Sequence, residues 1–62
     1  MNKINWFDIG DRIIINDKED MKRVQFCIKN QIDMFIDEYN RIWNEGGQYI
    51  ADCEFNNDFE QL

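Results

Sequence analysis

The sequence predicts an α+β domain in which a small antiparallel sheet packs on one long amphipathic helix. Bulky residues alternate with a period of two near both ends of the chain, which is typical of strands. Between them lies a stretch with an apolar residue every three or four positions and no proline, which is typical of a helix. A length of 62 residues allows one domain, so we expect a ββαβ order over residues 1–62.

The first two strands are expected at about 3–9 and 12–15. β-Branched and aromatic residues dominate both segments, and such residues favour strands. Gly10 and Asp11 between them suit the two-residue turn of a β-hairpin, where the first position needs a positive φ. One longer bent strand is the alternative interpretation.

The helix is expected at about 17–45. Asn16 or Asp17 can cap its first amides, and acidic residues follow where the helix dipole favours them. Gly46 and Gly47 provide the next stop signal. The apolar stripe comprises Met21, Val24, Ile28, Ile32, Phe35, Tyr39 and Ile42.

A helix of this length exceeds what a short hairpin can cover, because about 26 residues at 1.5 Å each extend roughly 39 Å. Self-association is therefore expected, and a homodimer is the favoured form. Four apolar residues outside or beside the stripe are candidates for a dimer or target contact: Phe26, Cys27, Met34 and Trp43. Alternatively, these residues form no contact surface: the apolar stripe is simply wide, and a few apolar residues are exposed.

The third strand is expected at about 48–55, followed by an acidic tail over residues 56–62. Tyr49, Ala51, Cys53 and Phe55 alternate with more polar residues, so these four are expected to face the helix.

The composition argues against catalysis. Histidine, serine and threonine are absent, which removes the usual general base and the hydroxyl nucleophiles. Cys27 and Cys53 lack the spacing of a zinc or redox motif, so we expect no metal and no cofactor. No signal peptide or membrane span is recognisable, and the expected location is therefore the cytoplasm, where thiols stay reduced.

The acidic charge lies mostly in the second half of the chain. Six basic and five acidic side chains occupy residues 1–29, whereas eight acidic side chains and Arg41 alone occupy residues 30–62. This distribution argues against direct nucleic-acid binding and favours a basic partner. It also fits simple solubility. If the carboxylates imitate phosphates, the partner-binding candidates are Asp33, Asp37, Glu38, Glu45, Asp52, Glu54, Asp58 and Glu60.

The small size, the carboxylates between Asp33 and Glu60, the aromatic content and the missing catalytic side chains resemble those of small acidic inhibitors made by bacteriophages. The resemblance is to the DNA-mimic type, and it implies an inhibitor that blocks a host DNA-binding protein such as a nucleoid protein, nuclease, glycosylase or polymerase. Ten isoleucines and eight asparagines also suit an AT-rich genome, and many bacterial viruses and plasmids have such genomes. The alternatives are a structural or adaptor module and an antitoxin-like partner, each binding through apolar helix residues.

Overall fold

The computed structural model describes residues 1–56, and the α+β prediction is confirmed for that range. One helix lies beside a four-stranded antiparallel sheet of order β1-β3-β4-β5 and a two-stranded ribbon of β2 and β6. The elements are β1 (Asn2–Lys3), a 3-10 turn (Trp6–Asp8), β2 (Ile13–Ile14), α1 (Lys18–Lys29), β3 (Met34–Ile36), β4 (Arg41–Asn44), β5 (Tyr49–Asp52) and β6 (Glu54–Phe55).

Helix α1 begins where the sequence predicts it. Asp17 is the N-cap, and its carboxylate accepts a hydrogen bond of 2.9 Å from the Asp20 amide. Glu19 and Asp20 lie in the first turn and Lys29 in the last, so charges match the helix dipole at both ends.

The prediction that the helix continues to residue 45 is wrong, because α1 ends at Lys29. Gln31 adopts a left-handed conformation with φ of 58°. Its amide donates to the Ile28 carbonyl, and the Ile32 amide donates to the Cys27 carbonyl at 2.8 Å, which together form a Schellman motif. Glycine usually occupies this position, so the glutamine provides no recognisable stop signal.

Two further strands replace the second half of the predicted helix. Met34 pairs with Asn44 at one end of the β3–β4 ladder, and Ile36 pairs with Ile42 at the other. Gly47 has a φ of 82° and belongs to the tight turn between β4 and β5, not to a helix terminus. The three-four apolar spacing was misleading because short strands separated by turns can also place apolar residues at those intervals.

The predicted N-terminal hairpin is also wrong. Residues 3–9 contain the end of β1 and a 3-10 turn, and β1 pairs with β3 instead of β2. Strand β2 is confined to Ile13 and Ile14 and pairs with β6. Gly10 does form a turn with φ of 86°, but that turn follows the 3-10 segment. Alternation within a segment cannot identify its partner strand, because pairing depends on distant residues.

The core lies on the inner face of the sheet, between the sheet, α1 and the ribbon. Val24 and Cys27 of the helix belong to one buried cluster with Met34, Ile42 and further residues. The remaining members of this cluster are Ile4, Ile13, Ile15, Ile50, Ala51 and Cys53. No helix within residues 1–56 is long and apolar enough to cross a membrane.

Helix side chains cover the free edge of β5. Arg23 donates through Nε to the Ile50 carbonyl at 2.8 Å, and the Asp20 carboxylate accepts from the Asp52 amide at 3.2 Å. Arg23 and Asp20 are themselves an ion pair. Because an open edge can pair with another chain, this cover protects β5 from such pairing.

Candidate binding surface

The outer face of the sheet, away from the core, carries three aromatic residues in adjacent strands. Phe35 pairs with Trp43, and Trp43 pairs with Tyr49, so all three point to the same side. We call these residues the aromatic row, and two strand spacings make it about 10 Å long. Phe35 and Trp43 are half-buried, Tyr49 is 43% exposed, and none of the three packs against the core cluster.

A bulge in β5 turns Tyr49 towards this outer face. Ile42 and Trp43 are consecutive in β4, but their partners are Ala51 and Tyr49, which leaves Ile50 as an extra residue. Ile50 and Ala51 are consequently both buried. The prediction that Tyr49 and Phe55 face the helix is therefore wrong, since both are 43% exposed.

The Asp37 carboxylate stabilises the turn after β3 and fixes the orientation of the Trp43 indole. One carboxylate oxygen accepts from the Trp43 indole at 2.9 Å, and the other accepts from the amides of Tyr39 and Arg41. Desolvation alone would raise the pKa of Asp37, but these hydrogen bonds and the nearby Arg41 charge lower it. Asp37 therefore stays ionised beside the aromatic row, while much of its hydrogen-bonding capacity is already used.

At the β5 end of the aromatic row, Asp52 is linked to Tyr49. A hydrogen bond to the Asp52 carboxylate, with desolvation and the negative charges of Asp52 and Asp20, raises the pKa of Tyr49 to about 12. In the β4–β5 ladder, the residue opposite Asp52 is Arg41. The Arg41 guanidinium lies 5.6 Å from the centre of the Tyr39 ring, which is a cation–π contact.

The structure separates most of the acidic residues that the sequence singled out. Asp33 lies beside β3 and forms an ion pair of 3.5 Å with Lys3. Glu38, Glu45 and Glu54 are exposed, and none of them joins an ion pair among residues 1–56. Asp58 and Glu60 lie outside the described residues.

The candidate carboxylates do not form regular rows along one strand or one helix. Asp33 and Asp37 flank a strand and are not one helical turn apart, because the helix has already ended. Asp52 and Glu54 belong to two different strands, which are separated by the buried Cys53. The acidic character is therefore spread over the sheet layer and its turns.

The four proposed contact residues divide into two groups. Cys27 and Met34 are 2% and 0% exposed, so their interpretation as a surface contact is wrong. They are buried because the chain reverses after Lys29 and brings Met34 of β3 into the same buried cluster as Cys27 of the helix. Phe26 is 60% exposed on α1, and Trp43 lies in the aromatic row. Sequence reasoning missed Phe35 and Tyr49 as surface residues, although the short apolar run of residues 34–36 between two aspartates is compatible with a strand.

The cysteines are buried and free, and burial governs their chemistry. Burial raises the pKa of Cys27, and burial followed by the nearby charges of Asp52, Asp37 and Glu54 raises that of Cys53 to about 11. Both thiols are therefore poor nucleophiles at neutral pH. In the part of the chain that the structure describes, no group of three or more acidic or cysteine side chains is placed to hold a metal ion.

The charge is divided between the two layers of the fold. Helix α1 carries four basic and two acidic side chains, whereas residues 30–56 carry six carboxylates and only Arg41. Strands β3 to β6 and their turns therefore carry most of the acidic excess of the described residues, while Lys3 of β1 adds one paired cation to the sheet. The outer face of the sheet also presents the aromatic row.

Comparison with protein-family models, curated proteins and solved structures gives no match to this chain. A functional assignment therefore rests on the chemistry of its own side chains.

Proposed function

We propose that the protein is a non-enzymatic inhibitor that occupies the basic nucleic-acid-binding surface of another protein. The observation that carries this proposal is the acidic excess of residues 30–56, which carry six carboxylates and one cation, Arg41. Lys3 of β1 also belongs to the sheet, but it is paired with Asp33. A field of this sign attracts the same basic surfaces that attract DNA. In this proposal the protein is phage-encoded and acts in the host cytoplasm.

The contact would combine charge with apolar area. The exposed carboxylates Glu38 and Glu45 lie in turns at opposite ends of β4, and Asp52 lies beside the aromatic row. Apolar centres surrounded by charged rims are typical of protein–protein interfaces, and tyrosine and tryptophan are enriched in them. The missing catalytic residue types and the buried, high-pKa thiols are consistent with a binding role.

Displacement from DNA tests this proposal. Proteins of a bacterial extract are bound to a double-stranded DNA resin, and purified wild-type protein is added. We expect it to release one or a few specific proteins, and their binding to it should weaken steeply between low and high salt. Release of no protein, or binding that does not depend on salt, would contradict the proposal.

Two double variants with the same net charge locate the surface. Glu38→Gln with Glu45→Gln removes two exposed charges from the turns of the sheet, whereas Asp11→Asn with Glu19→Gln removes two exposed charges from the N-terminal half. We expect the first pair to lose at least ~10-fold in affinity for the released protein and the second to lose much less. Equal losses would show that only net charge matters, and would refute the assignment to the sheet.

An adaptor that binds through its helix is the second candidate, as is an antitoxin-like partner of the same kind. The exposed Phe26 favours it, because this ring borders a groove lined by Ile32 and Ile50. In that case Phe26→Ala should weaken binding more than the Glu38 and Glu45 changes. The homodimer remains a prediction for sedimentation analysis, although its original basis, a helix too long for its core, no longer applies.

A further inference from the structure

We infer that the aromatic row, together with Asp37 and Asp52, binds an arginine side chain from an extended basic segment of the partner. This inference rests on the proposed function and names the chemical group that the sheet layer recognises. It depends on three features: the arrangement of the rings, the carboxylates beside Trp43 and Tyr49, and the fixed position of the row. The Phe35 end of the row is next to Lys3, which is paired with Asp33.

The first feature is the arrangement of the rings. The centres of Trp43 and Tyr49 are 5.7 Å apart, and their planes are inclined by 76°. Two rings at this angle present a face and an edge towards the same space, with Phe35 on the other side of Trp43. A planar cation can stack on one ring while its stem packs against a neighbouring ring.

The second feature is the charge around the rings. Asp37 lies beside Trp43, and its pKa is lowered, while Asp52 is linked to Tyr49. A guanidinium group carries five N–H donors in a plane, so it can stack on an indole and donate to a carboxylate at the same time. An ammonium group is more strongly hydrated and cannot stack. Phosphates would be repelled by the same carboxylates, so the row is not expected to bind a single-stranded nucleic acid.

The third feature is that the row is held in place before any ligand arrives. The Asp37 carboxylate anchors the indole of Trp43 at 2.9 Å, and the ladders of β3, β4 and β5 fix the spacing of the three rings. The guanidinium of Arg41 is directed at the Tyr39 ring and not at the rings of the aromatic row. The Arg41–Tyr39 contact shows within this chain the kind of interaction that we assign to the row.

Nuclear magnetic resonance can test this inference on the intact protein. The indole N–H groups of Trp43 and Trp6 give separate signals, and Trp6 is an internal control because it donates to the Ile32 carbonyl on the core side. The probes are three peptides of equal length, containing arginine, lysine or uncharged citrulline between glycines, and oligothymidylate. We expect the arginine peptide to shift the Trp43 signal and to bind ~10-fold more tightly than the lysine peptide.

Matched variants complete the test. Trp43→Leu and Tyr49→Leu should each weaken binding of the arginine peptide ~5-fold or more, whereas Phe26→Leu on the helix should not. The dispersion of the amide spectrum shows whether each variant is folded. If Trp43→Leu does not fold, Tyr49→Leu carries the test, because Tyr49 is 43% exposed.

Four outcomes would overturn the inference. They are equal affinity for the lysine and arginine peptides, an unchanged Trp43 signal, preferential binding of oligothymidylate, and a Trp43 shift that depends only on protein concentration, which would indicate a second copy. If the wild-type protein still displaces a partner from DNA while the arginine peptide does not bind, this inference fails and the proposed function stands.

Discussion

Replacing Met34 by alanine should lower the free energy of unfolding by about 3 kcal/mol. Met34 is fully buried in the same cluster as Val24 and Ile42, and truncation at such sites costs about 2–5 kcal/mol. A domain of this size has a total free energy of unfolding of roughly 3–9 kcal/mol. At roughly 4–8 °C per kcal/mol, the expected decrease in Tm is about 12–24 °C.

Urea and thermal unfolding followed by circular dichroism would measure this effect. Phe26→Ala is the control, because it removes a larger side chain that is 60% exposed, and its expected effect is within about 0.5 kcal/mol. If Met34→Ala leaves no folded protein, Met34→Leu should fold and cost less than about 1.5 kcal/mol. An unchanged Tm for Met34→Ala, or a larger loss for Phe26→Ala, would refute the placement of Met34 in the core beside Val24 and Ile42.

Three further results are expected. Arg23→Met should lower the free energy of unfolding by about 1–2 kcal/mol in urea, because the Ile50 carbonyl loses its donor; unchanged stability would contradict this role for the side chain. The raised pKa of Tyr49 means that its hydrogen bond stabilises the fold below pH ~10 and that this contribution is lost as the pH rises towards 12. In an absorbance titration, Asp52→Asn should therefore bring the pKa of Tyr49 down towards ~10, and an unshifted titration would exclude this partner. Alkylation of Cys53 at neutral pH should be at least ~100-fold slower in the folded protein than in urea, and comparable rates would show that the thiol is accessible.

Local signals in the sequence predicted part of the fold correctly. The acidic cap at Asp17 lies in a stretch with helix-favouring charges, and Val24 belongs to the apolar stripe that α1 does bury. The left-handed turn at Gly10 was also recognisable, because glycine adopts positive φ readily. Each of these features depends on residues within a few positions of one another.

The binding surface was only partly predictable, because it is formed by residues that are distant in sequence. Trp43 was singled out as a contact residue, but its neighbours in space are Phe35 and Tyr49, which reach it through strand pairing and a bulge at Ile50. The sequence predicts Asp37 as a partner-binding carboxylate on the long helix. Its three hydrogen bonds exist only because the chain turns after β3.

By itself the sequence determined the α+β class, the start of the helix, the missing catalytic residue types and the acidic second half. Only the tertiary structure decided where the helix ends, which strands pair and which face carries the aromatic row. The physical reason is visible at Gln31, where a left-handed residue costs roughly 1–2 kcal/mol locally. That cost is offset by distant contacts, because the reversal after Lys29 places Met34 and Ile42 in the same core as Val24.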